Sequence, residues 1–399
     1  MPRLLQINIT ANWGSTGRIA ESIGKSALDN GWESYIAYGR WCNSSNSQLI
    51  KVGNKFSKYL HFAEQLIRDN EGLCSRLDTK KLIKQIDVLK PDVVQLHNLH
   101  DHYLNYRILF EYLNQTNIQV VWTFHDCWAF TGHCFHFAKK DCMMWKTGCH
   151  SCPMRNVLPK TLFDRSKKNF ELKKRLFVGC RNLTIVPVSE WMAGFVRQSF
   201  LRDKRIEVIN NGIDLTVFCP CEKQKASVGY EVLAVSSVWN EDKGLSDILK
   251  LRELLPESYR ITIVGLTSKQ VSLLPPKIEG IVRTQNVQEL VRLYSNSNVL
   301  INPTYADTFP TVNLEALACG TPVITYRTGG SPEAIDENTG AVVEQGDVEG
   351  MAEAIKSVCS FNSKQYALAC RKRAEEYFDN VKCFEKYVKL YEELIGSRT

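Results

Sequence analysis

No uncharged apolar run in this 399-residue chain approaches the ~18 residues that a membrane-spanning helix needs. There is no tandem repeat of solenoid period and no low-complexity tract, which excludes repeat arrays and fibrous or disordered classes. Met1-Pro2-Arg3, followed by Leu4-Leu5-Gln6-Ile7-Asn8-Ile9, lacks the regions of a signal peptide, so the expected compartment is the cytoplasm. The loop after that strand-like run is not Gly-x-Gly-x-x-Gly, so a dinucleotide fingerprint is not supported. What is present is an ordinary globular composition, 44% hydrophobic and 23% charged, long enough for two or three domains with ample core. In a cytoplasmic setting, its fourteen cysteines read as thiols or metal ligands rather than a disulfide framework.

Charge is unevenly spread. Up to residue 188 there are 26 basic and 15 acidic residues, and beyond it 24 and 28, so the halves carry +11 and −4. The asymmetry points to two domains with different partners, the first meeting something anionic. Both halves alternate short apolar runs with helical patterns, the signature of parallel α/β units. Strands are expected at 4–9, 33–38, 92–96, 119–124 and 184–188, then at 231–236, 260–264, 298–302 and 323–325. Helices are expected at 18–30 and 105–114, and near 244–255, 287–296 and 312–319, the last stopped by Gly320-Thr321-Pro322. The fold class is therefore α/β, with two Rossmann-like, doubly wound domains facing a cleft. Residues 1–218 form the first domain, the polar stretch 219–229 the linker and 230–377 the second domain. The tail, 378–399, reads as an amphipathic helix. Ligand-contacting residues belong in loops at the C-terminal ends of the strands.

Several such loops carry chemistry. Gly14-Ser15-Thr16-Gly17-Arg18 opens a helix directly after the first strand, where free amides favour a phosphate, although a plain turn explains the glycines equally. Seven of the eight histidines fall between 97 and 150. His97 and His100 end one strand, and His125 with Asp126 ends another, placing imidazoles where they can donate to sugar hydroxyls or move protons. His97 and His100 also fit a structural role. An insertion at about 126–160 contains Cys134, Cys142, Cys149 and Cys152. The last two have the spacing that lets two thiolates share a tetrahedral ion. A structural zinc holding this long loop together is expected, with unliganded thiols or a disulfide as alternatives and His133, His136 or His150 as substitute ligands.

The most specific stretch runs from Tyr305 to Ile324. Asp307 lies in a loop, Glu315 sits one turn into the next helix, and the helix start between them offers amides to a phosphate or sugar. Upstream, Ser236 follows another strand, and Lys243 precedes a helix where it can pair with a pyrophosphate.

Together these stretches resemble the GT-B glycosyltransferases of family 4, retaining enzymes that use nucleotide-sugar donors. Asp307-x7-Glu315 matches the family's acid-x7-Glu motif, and Gly329-Gly330-Ser331-Pro332-Glu333 its Gly-Gly-x-x-Glu turn. Asn211-Gly212-Ile213-Asp214 with Phe218 resembles the segment ahead of its linker. The Thr-Gly-Arg loop, the His-Asn-Leu-His stretch and the cysteine-rich insertion are most similar to colanic-acid-type polysaccharide enzymes. The resemblance implies that the C-terminal helix crosses back onto the first domain. It implies that Glu315 holds the donor ribose, and that Asp307 and the backbone of Phe309, Pro310, Thr311 and Val312 contact the transferred sugar. Lys243, assisted by Gly14, Thr16, Gly17 and Arg18, would neutralise the diphosphate, and His125 would lie near the reacting centre. Two departures stand out: the first acid is Asp rather than Glu, and the family's phosphate-binding Arg is absent from Ser237-Val238-Trp239. No Asp-x-Asp motif stands in a plausible donor loop, so no catalytic metal is expected.

The implied acceptor is a glycan, carried on polyprenyl diphosphate in polysaccharide assembly. That gives the basic half a partner in an anionic membrane, met peripherally at its inner face. Lys51, Lys55, Lys58, Lys80, Lys81 and Lys84, and a second cluster of Lys167, Lys168, Lys173, Lys174 and Arg175, would face it. A nucleotide-sugar epimerase or a phosphorylase of the same fold is the nearer alternative. A zinc-stabilised nucleic-acid-binding protein is the distant one, lacking any nucleic-acid module, so no nucleic-acid partner is expected.

Overall fold

The computed structural model describes residues 1–137, 142–156, 159–222, 229–360 and 363–397. They divide into two compact units, Met1–Asn210 with Phe384 onward, and Asn211–Cys383.

The first unit is a parallel sheet of β1 (Arg3–Asn8), β2 (Glu33–Tyr38), β3 (Gln48–Lys51), β4 (Val93–Leu96), β5 (Gln119–Phe124), β6 (Leu183–Pro187) and β7 (Arg205–Ile206). Their spatial order is β3-β2-β1-β4-β5-β6-β7. Between them run α1 (Gly14–Asp29), α2 (Lys55–Arg68), α3 (Arg76–Leu89), α4 (Tyr106–Leu113), α5 (Ser166–Gly179) and α6 (Glu190–Val196). The central strands β4, β5 and β6 are buried along nearly their whole length, as near-continuous apolar runs in a covered parallel sheet should be.

The second unit repeats the plan with β8 (Tyr230–Val235), β9 (Tyr259–Val264), β10 (Ile278–Ile281), β11 (Val299–Asn302), β12 (Val323–Tyr326) and β13 (Gly340–Val343), in the order β10-β9-β8-β11-β12-β13. Its helices are α7 (Leu245–Leu254), the single turn α8 (Ser268–Val271), α9 (Val287–Asn296), α10 (Thr311–Ala318), α11 (Val348–Ser360) and α12 (Ser363–Tyr377). Gly320 ends α10 at φ +76°, and Thr321 N–H closes back on Ala316 O at 2.9 Å.

Residues 211–218 pack with the second unit rather than the first. Ile213 bridges Asp379, and Arg371 donates to the carbonyls of Leu215 and Phe218. The last helix, α13 (Asn380–Gly396), belongs to the first unit from Phe384 on. There Phe384, Tyr387, Val388 and Tyr391 join Leu4, Trp32 and Val93 in one core cluster. Its two tyrosines also bond to the sheet: Tyr391 Oη donates to Gln95 Oε1 at 2.6 Å, and Tyr387 Oη lies 3.1 Å from Thr123 Oγ1.

Candidate functional site

In the second unit, the loops after β8, β11 and β12 are pinned together by glycines. Gly244, at φ +72°, lies so close to the loop after β11 that a Cβ would stand 2.1 Å from Pro303 O. Gly329, at φ +57°, is as tightly held: its Cβ would stand 1.7 Å from Asp307 O, and Gly330 N–H donates to Thr308 O at 3.1 Å. The Gly-Gly turn therefore fixes the backbone that carries Asp307.

On this frame Lys243 and Asp307 meet. A short 3₁₀ turn, Glu241–Lys243, capped by the Asn240 side chain, delivers the lysine. Its Nζ donates to Asp307 Oδ2 at 2.7 Å and reaches Thr304 Oγ1 and Ala306 O at 3.4 Å. Helix α10 then begins at Thr311 without a side-chain cap, so its first amides have no side-chain acceptor from the N-cap position. Glu315, one turn in, is buried, and its Oε2 accepts from Tyr294 Oη at 2.7 Å. Phe309 and Pro310 are buried against the unit, while Thr311 and Val312 are half-buried. Beneath the loops, Asp247 accepts from Tyr305 Oη at 2.6 Å and Tyr326 Oη at 2.9 Å. Ser236 Oγ donates to Val238 O at 2.8 Å. Val238, at the position of the missing arginine, is exposed, and Trp239 is tied inward through Nε1 to Val264 O at 2.7 Å.

In the first unit, Gly14 opens α1 at φ +67° behind Trp13, again with no side-chain cap. Gly17 packs where a Cβ would meet Thr10 Oγ1 at 2.6 Å, and Thr16 Oγ1 lies 3.4 Å from Asn8 Nδ2. Arg18 is exposed. At the neighbouring strand ends, His125 Nε2 and His97 Nδ1 are 3.1 Å apart, and His97 Nε2 is 3.0 Å from Gln6 Oε1. Gln6 Nε2 donates to Ala20 O at 2.7 Å, which leaves Gln6 Oε1 as the acceptor. His97 must then carry its proton on Nε2, and His125 must donate from Nε2. Burial pushes the His125 imidazole down to about 4 and His97 well below its ordinary value, so both rings are neutral near pH 7.

His100 behaves oppositely. Burial opposes its charge, but Asp126, 2.8 Å from Nε2, and Asp101 on the other side hold it up to about 10. The carboxylate beside His125 thus serves His100 and the Trp128 amide. Sequence reasoning missed Tyr294 and Gln6. Tyr294 gave no signal, whereas Gln6 is a polar residue inside an apolar buried strand, which was readable.

The four cysteines are free thiols and line one small cavity with Thr131, Phe137, Met144, Trp145 and His150. Cys134 is buried, and burial followed by Cys152, Cys149 and Cys142 pushes its thiol up. Gly132 N–H donates to Cys149 Sγ at 3.2 Å. Among the described residues no group of three or more ligating side chains has the geometry to hold a metal ion, so the expected zinc is not shown. Phe137, Met144 and Trp145 share the cavity wall with the sulfurs, and residues 138–141 of the insertion lie outside the described residues. His133 lines the same cavity, with its Nδ1 2.6 Å from Asp69 Oδ1. Lys173, expected in a surface cluster, is instead buried. Its Nζ donates to Trp128 O at 2.6 Å and Thr131 O at 3.0 Å and lies 3.5 Å above the Trp128 ring.

Comparison with known proteins agrees with this geometry. Residues 59–217 match the model of Glycosyltransferase Family 4, and residues 229–360 that of Glycosyl transferases group 1, together more than half of the chain. The colanic acid biosynthesis glycosyl transferase WcaC of Escherichia coli (strain K12) is 23% identical over 98% of this chain and 100% of its own. Sucrose-phosphate synthase from Thermosynechococcus elongatus shares the fold with a TM-score of 0.76 at 15% identity, both chains fully covered. Anabaena HepE, solved in complex with UDP, does so at 0.65 and 12% identity, covering 98% of this chain and 100% of that one. By its family matches and its two parallel-sheet units, the chain belongs to the GT-B glycosyltransferases of family 4.

Proposed function

We propose that this protein transfers a sugar from a nucleoside diphosphate sugar to a glycan acceptor in cell-surface polysaccharide assembly, retaining the anomeric configuration. The observation that carries the reading is the Lys243–Asp307 contact of 2.7 Å beside the uncapped start of α10, with Glu315 one turn further on. The Lys243 ammonium and the α10 amides stabilise the charge that develops on the departing diphosphate. Donor binding exchanges one anionic partner of Lys243, Asp307, for phosphate, and frees Asp307 to accept from a sugar hydroxyl. Glu315 accepts from the ribose hydroxyls. The first unit supplies the acceptor side and His125, which is held from behind by His97 and Gln6. The acceptor oxygen bonds to the anomeric carbon as the bond to the diphosphate oxygen breaks on the same face, and the hydroxyl proton leaves with the diphosphate. Positioning and electrostatics supply the catalysis, with no metal required. The names of WcaC and of HepE bound to UDP are consistent with a nucleotide donor and a polysaccharide product. The acceptor is read as a glycan on polyprenyl diphosphate, met at the inner face of the cell membrane.

Thermal shift with UDP-, GDP-, ADP- and dTDP-sugars tests the donor site. A matching series at a hundred times its Kd stabilises by about 2.7 kcal/mol, and Glu315→Ala abolishes the shift. No shift with any donor overturns the reading. Proton NMR of the product tests retention, and free sugar released without acceptor would instead identify an epimerase.

For the insertion we propose a structural zinc ion on Cys134, Cys142, Cys149 and Cys152. The shared cavity and the amide donated to Cys149 Sγ support this reading. Metal analysis of the purified protein should find about one zinc per chain, lost in Cys149→Ser. Folded protein without metal overturns it.

A further inference from the structure

Helix α2 is amphipathic but mounted inside out. Phe56, Tyr59, Leu60, Ala63 and Ile67 share one face by their spacing of three and four, and in a globular protein such a face normally turns inward. Here the inward residues are polar. His61 is 0% exposed and Gln65 2%, whereas Phe56 and Tyr59 are each 72% exposed and Leu60 54%. The buried pair is fixed by hydrogen bonds rather than by apolar packing. His61 Nδ1 lies 2.9 Å from Ser75 Oγ, its Nε2 accepts from Gly72 N–H at 3.2 Å, and Gln65 Nε2 donates to Lys160 O at 2.9 Å. The reversed orientation is thus built in.

A second segment extends the apolar surface. Leu162 and Phe163, each 65% exposed, donate their amides to Leu66 O and Ile67 O and so cap the end of α2. Positive charge surrounds the patch. Between residues 51 and 84 there are eight basic and four acidic residues, and two of the acidic ones, Asp69 and Glu71, are buried against His133 and His102. Lys55, Arg68, Lys80 and Lys81 are exposed, as are Lys167 and Lys168 just beyond Phe163. Lys58 turns away to the Gly39 carbonyl.

We infer that α2 and residues 162–163 form the surface by which this protein lies on an anionic bilayer, with α2 in the plane of the interface and its aromatic face at the headgroup boundary. Charge complementarity selects the lipid. Two copies meeting through this patch would oppose two like-charged rims, whereas anionic headgroups neutralise each rim. The helix lies on the membrane rather than crossing it, since among the described residues no helix is long and apolar enough to span. The inference takes its purpose from the lipid-linked acceptor read above, but not its evidence.

Flotation of the full chain with vesicles of phosphatidylcholine and phosphatidylglycerol at 7:3 tests it. The protein should float with these and not with pure phosphatidylcholine, and should release at high salt. Phe56→Ser with Tyr59→Ser should cut the bound fraction at least tenfold while leaving the nucleotide-sugar thermal shift intact. In a separate variant, Phe56→Trp, emission should move to the blue on anionic vesicles only. Flotation unchanged in the double variant, or no flotation and no emission shift, overturns the inference. So does a lipid-free dimer that the double variant dissolves, which would assign the patch to a second copy. Unsubstituted protein that binds a donor but no anionic vesicle overturns this inference alone, and unsubstituted protein that binds anionic vesicles but no donor overturns the donor reading alone.

Discussion

A carboxylate that must accept from ligand hydroxyls is best aimed before the ligand arrives, and Tyr294 does this for Glu315. The tyrosine is itself held, because its carbonyl accepts from Thr321 Oγ1 at 2.6 Å while its hydroxyl donates to Glu315 at 2.7 Å. Hydrogen bonds to a charged group contribute about 1.5–3 kcal/mol. Tyr294→Phe keeps the ring and removes only that bond, so nucleotide-sugar affinity should fall about tenfold, near 1.4 kcal/mol, with the fold retained. Isothermal titration with the matching donor checks this. Unchanged affinity would mean that packing alone aims Glu315.

At the scale of elements, what the sequence made legible follows from burial. Every expected strand is present within two residues of its expected ends, and all of them are interior to the sheets. The four that the pattern does not predict, β3, β7, β10 and β13, are the four sheet edges. An edge strand pairs on one side only and is often half-exposed, so Gln48-Leu49-Ile50-Lys51 carries no continuous apolar run. The site divides in the same way. Asp307, Glu315 and Lys243 stood out because turn and helix-start chemistry fixes their spacing along the chain. Tyr294 reaches Glu315 from another helix, and contact of that kind leaves no local mark. The burial of Lys173 was hidden for a related reason: it sits among lysines that do face solvent. Helix α2 shows the converse failure, since its periodicity is that of a buried stripe and only the partners of His61 and Gln65 reveal the reversal.

The whole first unit should be least tolerant of acid. Burial pushes His61 and His125 down to about 4, so the unfolded chain takes up protons below about pH 6.5 that the native state refuses. Stability should therefore fall with pH, by about 2 kcal/mol for each of the two between pH 7 and 5. His100, held up to about 10, is charged in the native state throughout that window but in the unfolded chain only below about 6.5; its contribution is complete below about 6.5 and is lost as pH rises towards 10. Urea unfolding at pH 7 and 5 checks the acid limb, which the buried neutral His97 shares, and His61→Asn should remove about 2 kcal/mol of it. A flat profile would mean that water reaches both rings.

The same unit is discontinuous in sequence, with residues 211–383 lying between its sheet and the helix segment from Phe384 that completes its core. During synthesis Gln95 and Thr123 emerge 296 and 264 residues ahead of the tyrosines that bond to them. The second unit is contiguous and can close as soon as its own residues leave the ribosome, while the first waits, with part of its sheet uncovered, for the last helix. The order of synthesis and the order of completion are therefore reversed.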